Sequence, residues 1–88
     1  MTKYAWYKTT GEEPEKIAEV VVQDGVPNWT MDNKNIREEI ERCPWALLMM
    51  RNLDDEGHFN WSNPKHVELL PVMYRSPYLY CQKEKDNG

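Results

Sequence analysis

Glycine, cysteine, histidine and phenylalanine are all scarce in this 88-residue chain, and each scarcity removes a class of chemistry. The four glycines, Gly11, Gly25, Gly57 and Gly88, are isolated, so no Gly-rich loop is present to cradle a phosphate. Cys43 and Cys81 lie far apart and form no local ligand pair, and His58 and His66 do not sit beside them. Structural zinc sites draw ligands in close pairs from one turn, so no metal is expected, and the acidic Asp54-Asp55-Glu56-Gly57 lacks the alternating ligands of a calcium loop. The reading of these four side chains is two free buried thiols and two surface imidazoles. Long apolar runs are missing too. The longest, Trp45 to Met50, is far below the ~20 residues of a membrane span. The opening residues show no apolar core of a signal peptide, and the expectation is a cytoplasmic chain with no membrane partner. The sequons at Asn28 and Asn60 are then coincidental.

Positive charge is also in deficit. The net charge is -4, with six cations against nine carboxylates in the first 44 residues, which argues against nucleic acid as a partner, since such binders need a basic face. No nucleophile, base and orienting group are spaced for catalysis. Cys43, at the end of an expected helix, meets the negative dipole end, which disfavours a thiolate. The expectation is a non-enzyme without cofactor.

What is present patterns as α+β. Residues 3 to 9 alternate as a strand with aromatics on both faces, Tyr4 and Trp6 on one and Tyr7 on the other. The β-branched run in Ile17 to Gln23 predicts a second strand. Asp24-Gly25 predicts a two-residue hairpin turn of positive φ. Val26 to Met31 then returns at a sheet edge, because Pro27 has no N–H for a ladder. A short helix is expected from an Asn35 cap to Cys43, with Ile36, Ile40 and Cys43 inward and Pro44 as its stop. Trp45 to Leu53 reads as a strand, Asp54 to Gly57 as a turn and His58 to Ser62 as the return strand. A half-turn at Lys65-His66 precedes an apolar coda from Val67 to Pro71. Val72 to Gln82 reads as a last strand interrupted by Ser76-Pro77, and residues 83 to 88 as a polar tail to a single domain of residues 1 to 82.

The order strand, acidic-Gly turn, strand, polar elbow and coda ending in Leu69-Leu70-Pro71 resembles the second half of SH3-like small barrels. The resemblance spans Trp45 to Pro71 and transfers no binding residue. The expected fold is α+β, a small twisted antiparallel sheet or partial SH3-like barrel with one short helix packed on it.

One feature exceeds what so short a chain requires. Four Trp, five Tyr and one Phe are more large rings than a small core needs. Trp45, Phe59 and Trp61 sit among aliphatic neighbours and read as core. Tyr4, Trp29, Tyr78 and Tyr80 lie on terminal or edge segments beside polar residues, and are the candidates for a face that binds a larger protein partner. That predicts an inhibitor, adaptor or modulator, an accessory role of the kind phages encode. The alternative is a small-ligand binder whose aromatic pocket, at a homo-oligomer interface, holds a nucleotide-like molecule with Trp6, Tyr7, Arg51, Tyr74 and Arg75. An enzyme is the third reading.

Overall fold

The first strand alternates, and everything else follows from which side of it is covered. A computed structural model describes residues 1–42 and 59–84. Strands β1 (Thr2–Lys8), β2 (Glu15–Gln23), β3 (Val26–Met31) and β4 (Leu79–Glu84) form one antiparallel sheet in the order β3-β2-β1-β4. Helix α1 (Lys34–Arg42) follows β3, and two single turns, α2 (Pro64–Val67) and α3 (Leu70–Met73), precede β4. The chain is mixed α+β and mostly sheet.

The β2–β3 turn forms as its residue types require. Asp24 has φ 53° and Gly25 φ 77°, the paired left-handed residues of a tight hairpin. β3 is an edge strand, the position Pro27 demands. At the other edge, the backbone of residues 74 to 76 folds back on β4. The Cys81 N–H donates to the Tyr74 carbonyl, the Ser76 N–H donates to the Leu79 carbonyl, and Arg75 bridges Tyr80. This return covers the first half of an otherwise open edge.

One face of the sheet carries the core. Tyr4 pairs with Val20, Trp6 with Ala18 and Cys81, and Val20 with Trp29, which sets these residues on a common side. Ile36 and Ile40 of α1, Val67 of α2, Leu70 of α3, Phe59 and Tyr74 complete the cluster. The spacing of Ile36 and Ile40 places both on one stripe of α1, and Arg37, paired with Asp32 at 3.1 Å, stays at the rim. α1 is anchored by its cap. Asn33 Oδ1 accepts from the Ile36 N–H at 3.2 Å, while its amide donates to the Ile17 carbonyl of β2 at 3.3 Å.

Several expectations are corrected. The cap is Asn33 rather than Asn35, because only Asn33 reaches both the helix and β2. The half-turn expected at Lys65-His66 lies within α2, and among the described residues a further helical turn, α3, stands where the coda and the start of the last strand were expected. Phe59 to Ser62 forms no strand: the Ser62 N–H and hydroxyl both donate to Asn60 Oδ1, which turns the chain into α2. Val72 and Met73 belong to α3, so the last strand begins at Leu79, and it runs through Glu84, past the expected start of the tail. His66 is 1% exposed instead of lying at the surface. Its Nδ1 accepts from the Asn60 N–H at 3.0 Å, which places the ring proton on Nε2. Cys81 is a free, buried thiol, and burial pushes its pKa up. The readings of Trp45 to Leu53, the Asp54–Gly57 turn, Cys43 and His58 lie outside the described residues, as do Arg51 and most of the hairpin on which the barrel resemblance rested. No helix among the described residues is long and apolar enough to cross a membrane.

Candidate functional site

Alternation along β1 sorts the rings into two populations. Tyr4, Trp6 and Tyr74 are buried to within 4% of full coverage, so three of the nine residues singled out in the sequence are core. For Tyr4 the correction has a simple cause: β1 opens the chain but lies inside the sheet, between β2 and β4. Trp29, on edge strand β3, still faces the core. Its ring stacks on Trp6 with centroids 5.4 Å apart and meets Trp61 edge-on at 5.9 Å. Tyr74 and Phe59 extend the series by edge contacts, Tyr74 to Trp6 at 5.8 Å and Phe59 to Trp61 at 4.8 Å. This run of rings takes the place of aliphatic volume and accounts for much of the aromatic surplus.

Among the described residues, Tyr7, Tyr80 and Arg75 meet on the opposite face. Tyr7 pairs across the ladder with Tyr80 on one side and Lys16 on the other, and Tyr80 bridges Arg75. Paired residues of an antiparallel sheet share a face. Lys16, Tyr7, Tyr80 and Arg75 therefore make one row across β2, β1, β4 and the segment beyond it. The Tyr7 and Tyr80 rings stack, with centroids 5.5 Å apart and planes 21° apart. Lys16 Nζ lies 6.0 Å from the Tyr7 ring centre, at the outer limit of a cation–π contact. Tyr78, in the bend just before β4, is 71% exposed, and its carbonyl accepts from the Thr9 N–H.

A polar network frames the pair. Glu19 accepts from Thr30 Oγ1 at 2.6 Å and from Lys16 Nζ at 3.0 Å, with Lys3 Nζ at 3.7 Å. Those hydrogen bonds, Thr30's first and Lys16's second, hold the Glu19 carboxyl below its usual value. The Tyr7 hydroxyl donates to Glu84 Oε1. That bond, followed by burial, raises the Tyr7 pKa to about 12. Glu84 pairs with Lys3, two rows from Tyr7, so the Tyr7 ring must lean along the strand across the position of Ala5. Ala5 is on this face and is fully buried, as such a lean requires. The tyrosines are thus locked in place by stacking and by one charge-assisted hydrogen bond.

The structure therefore brings together Tyr7, Arg75 and Tyr80, drawn from both sets expected in the sequence, leaves Tyr78 exposed at the bend before β4, and withdraws Tyr4, Trp6, Trp29 and Tyr74 from them. Sequence reasoning missed the framing residues Lys3, Lys16, Glu19, Thr30 and Glu84. The alternation of β1 pointed to Lys3, but the others needed the strand register. Chemically the row offers a flat, rigid aromatic platform with a cation at each end and fixed carboxylates beside it. It holds no nucleophile, and among the described residues no cluster of His, Cys, Asp and Glu suits a metal ion. Comparison with known proteins finds no matching family model, no matching curated protein and no matching solved structure, so function is argued from the geometry alone.

Proposed function

We propose that this chain is a small non-enzymatic binding module that engages a larger protein through the open face of its sheet, with Tyr7 and Tyr80 at the centre of the contact. The observation that carries this reading is the stacked Tyr7–Tyr80 pair, half-exposed and held rigid, inside a ring of charged side chains. A protein contact needs that arrangement: aromatic anchors that lose little entropy on binding, surrounded by a polar rim. The core does not need it, since it is filled from the other face. Acting on a larger partner, such a module serves as an inhibitor, adaptor or modulator.

The test compares capture by the wild-type chain with capture by a Tyr7→Ala/Tyr80→Ala variant whose melting curve is unchanged. A specific partner retained by the first should be lost by the second, with affinity reduced about 30-fold or more, the equivalent of ~2 kcal/mol. A partner held equally by both would remove the open face from consideration. Among the described residues of the small-ligand alternative, Tyr7 and Arg75 stay on a common row, while Trp6 and Tyr74 are committed to the core. Nucleotide added to the same two proteins separates that outcome: a thermal shift of the wild-type chain alone would favour it.

A further inference from the structure

On the core side, away from the tyrosine row, a cleft of about 300 Å³ opens between the β2–β3 turn, the start of β1 and α2. Its walls include Tyr4, Trp61 and Val67, with the charged side chains of Asp24, Glu68 and Lys83 around them. The turn is pressed against this wall, since a Cβ on Gly25 would stand 2.9 Å from Ser62 Cα. Tyr4 is 2% exposed, and its hydroxyl has no hydrogen-bond partner among the described residues. Burial, and then the nearby Glu68 carboxylate, raise its pKa, so the hydroxyl stays protonated and able to donate. The hydroxyl oxygen itself is not sealed off: it opens on the cleft and can donate to whatever occupies it. Three exposed charges stand at the rim of the cleft. Asp24, Glu68 and Lys83 surround one space, yet no ion pair among the described residues joins any of them.

We propose that this cleft binds a small zwitterion of amino-acid size, its ammonium against Glu68 and Asp24, its carboxylate against Lys83, its apolar body against Trp61 and Val67, and the Tyr4 hydroxyl donating to it. Both signs of charge decide the class. A simple cation leaves Lys83 opposing it, and a simple anion meets two carboxylates, whereas a zwitterion satisfies all three groups. The volume sets the size, because about 300 Å³ is the lower end of ligand pockets. The site is independent of the open-face reading: Tyr4 and Lys83 project from the opposite side of β1 and β4 to Tyr7 and Tyr80, so either reading can fail alone.

The probes are matched sets: phenylalanine with 2-phenylethylamine and 3-phenylpropionate, and leucine with isoamylamine and 4-methylpentanoate. Binding to the full chain is followed by titration calorimetry and by NMR shifts of the Trp61 indole. At least one amino acid should bind, and its amine and acid halves should bind about tenfold or more weakly. Tyr4→Phe keeps the buried ring and should keep or raise the melting temperature, while weakening the amino acid about fivefold or more. Glu68→Gln and Lys83→Met should each weaken it by a similar factor. The proposal is overturned if neither amino acid binds at about 10 mM, if either half-ligand binds as well as its parent, or if a folded Tyr4→Phe variant binds unchanged.

Discussion

Replacing Gly25 with valine should destabilise the chain well beyond an ordinary change at a turn. Two independent penalties meet there. The residue sits at φ +77°, where an L side chain costs about 1–2 kcal/mol. Its new Cβ would also lie 2.9 Å from both Cα and Cβ of Ser62. Because one of those atoms is backbone, rotation of a side chain cannot relieve the clash. Either the β2–β3 turn or the Trp61–Ser62 segment must move, at about 1–3 kcal/mol by analogy with overpacked interiors. Together the two come to roughly 2–5 kcal/mol, a large part of the ~4–13 kcal/mol that holds a chain of this length folded. With an unfolding entropy of about 2.1 cal/mol/K per residue, the melting temperature should fall by roughly 10–25 °C. Gly25→Asn separates the two penalties, since asparagine tolerates the left-handed region but carries the same Cβ. It should recover the strain and keep the clash. Gly11→Ala is the control: nothing lies within 4 Å of a Cβ there, and stability should change by less than about 1 kcal/mol. Melting within about 3 °C of wild type for Gly25→Val would refute both the turn conformation and its contact with Ser62.

The two ring populations should part under single substitutions. Trp6→Ala removes a fully buried ring and should cost about 3–5 kcal/mol in urea unfolding, whereas Tyr80→Ala, on the open face, should cost about 1 kcal/mol or less. Equal losses would mean that the open face is also core. Glu19 is acidic with a folded pKa below its unfolded value, so its contribution is present above the unfolded carboxyl pKa and is lost as pH falls through the folded one. Glu19→Gln should therefore cost up to about 1 kcal/mol at pH 7, the range of a partly exposed ion pair, and much less at pH 3. A cost independent of pH would show that charge is not the cause. Cys81, buried and with its thiol pKa raised, should resist iodoacetamide in the folded chain and react on unfolding, followed by mass spectrometry of its peptide. Rapid labelling under native conditions would place the thiol at the surface.

Local rules carried the first third of the molecule. Alternation in residues 3 to 9, the valine run, Asp24-Gly25 and Pro27 each act through the backbone of neighbouring residues. The strands, the positive-φ turn and the edge position of β3 were therefore legible without the fold. The stripe Ile36–Ile40 likewise marked the buried side of α1. What the sequence could not contain was order in space. Nothing local says that β1, first in the chain, lies between β2 and β4, yet that position buries Tyr4 and sets Tyr7 beside Tyr80, a residue 73 positions away. The same long-range pairing made the candidate site. Lys16, Tyr7, Tyr80 and Arg75 share a row only because three separate registers align them, and a shift of one residue in β4 would turn Tyr80 to the other face. His66 and the Asn33 cap follow the same principle. A side chain's type limits what it can bond, but the partner that fixes it, Asn60 for one and Ile17 for the other, is chosen by the packing of segments distant from it or turned back on it. Sequence determined the pieces and which of their faces were apolar, while tertiary structure decided which rings were left over.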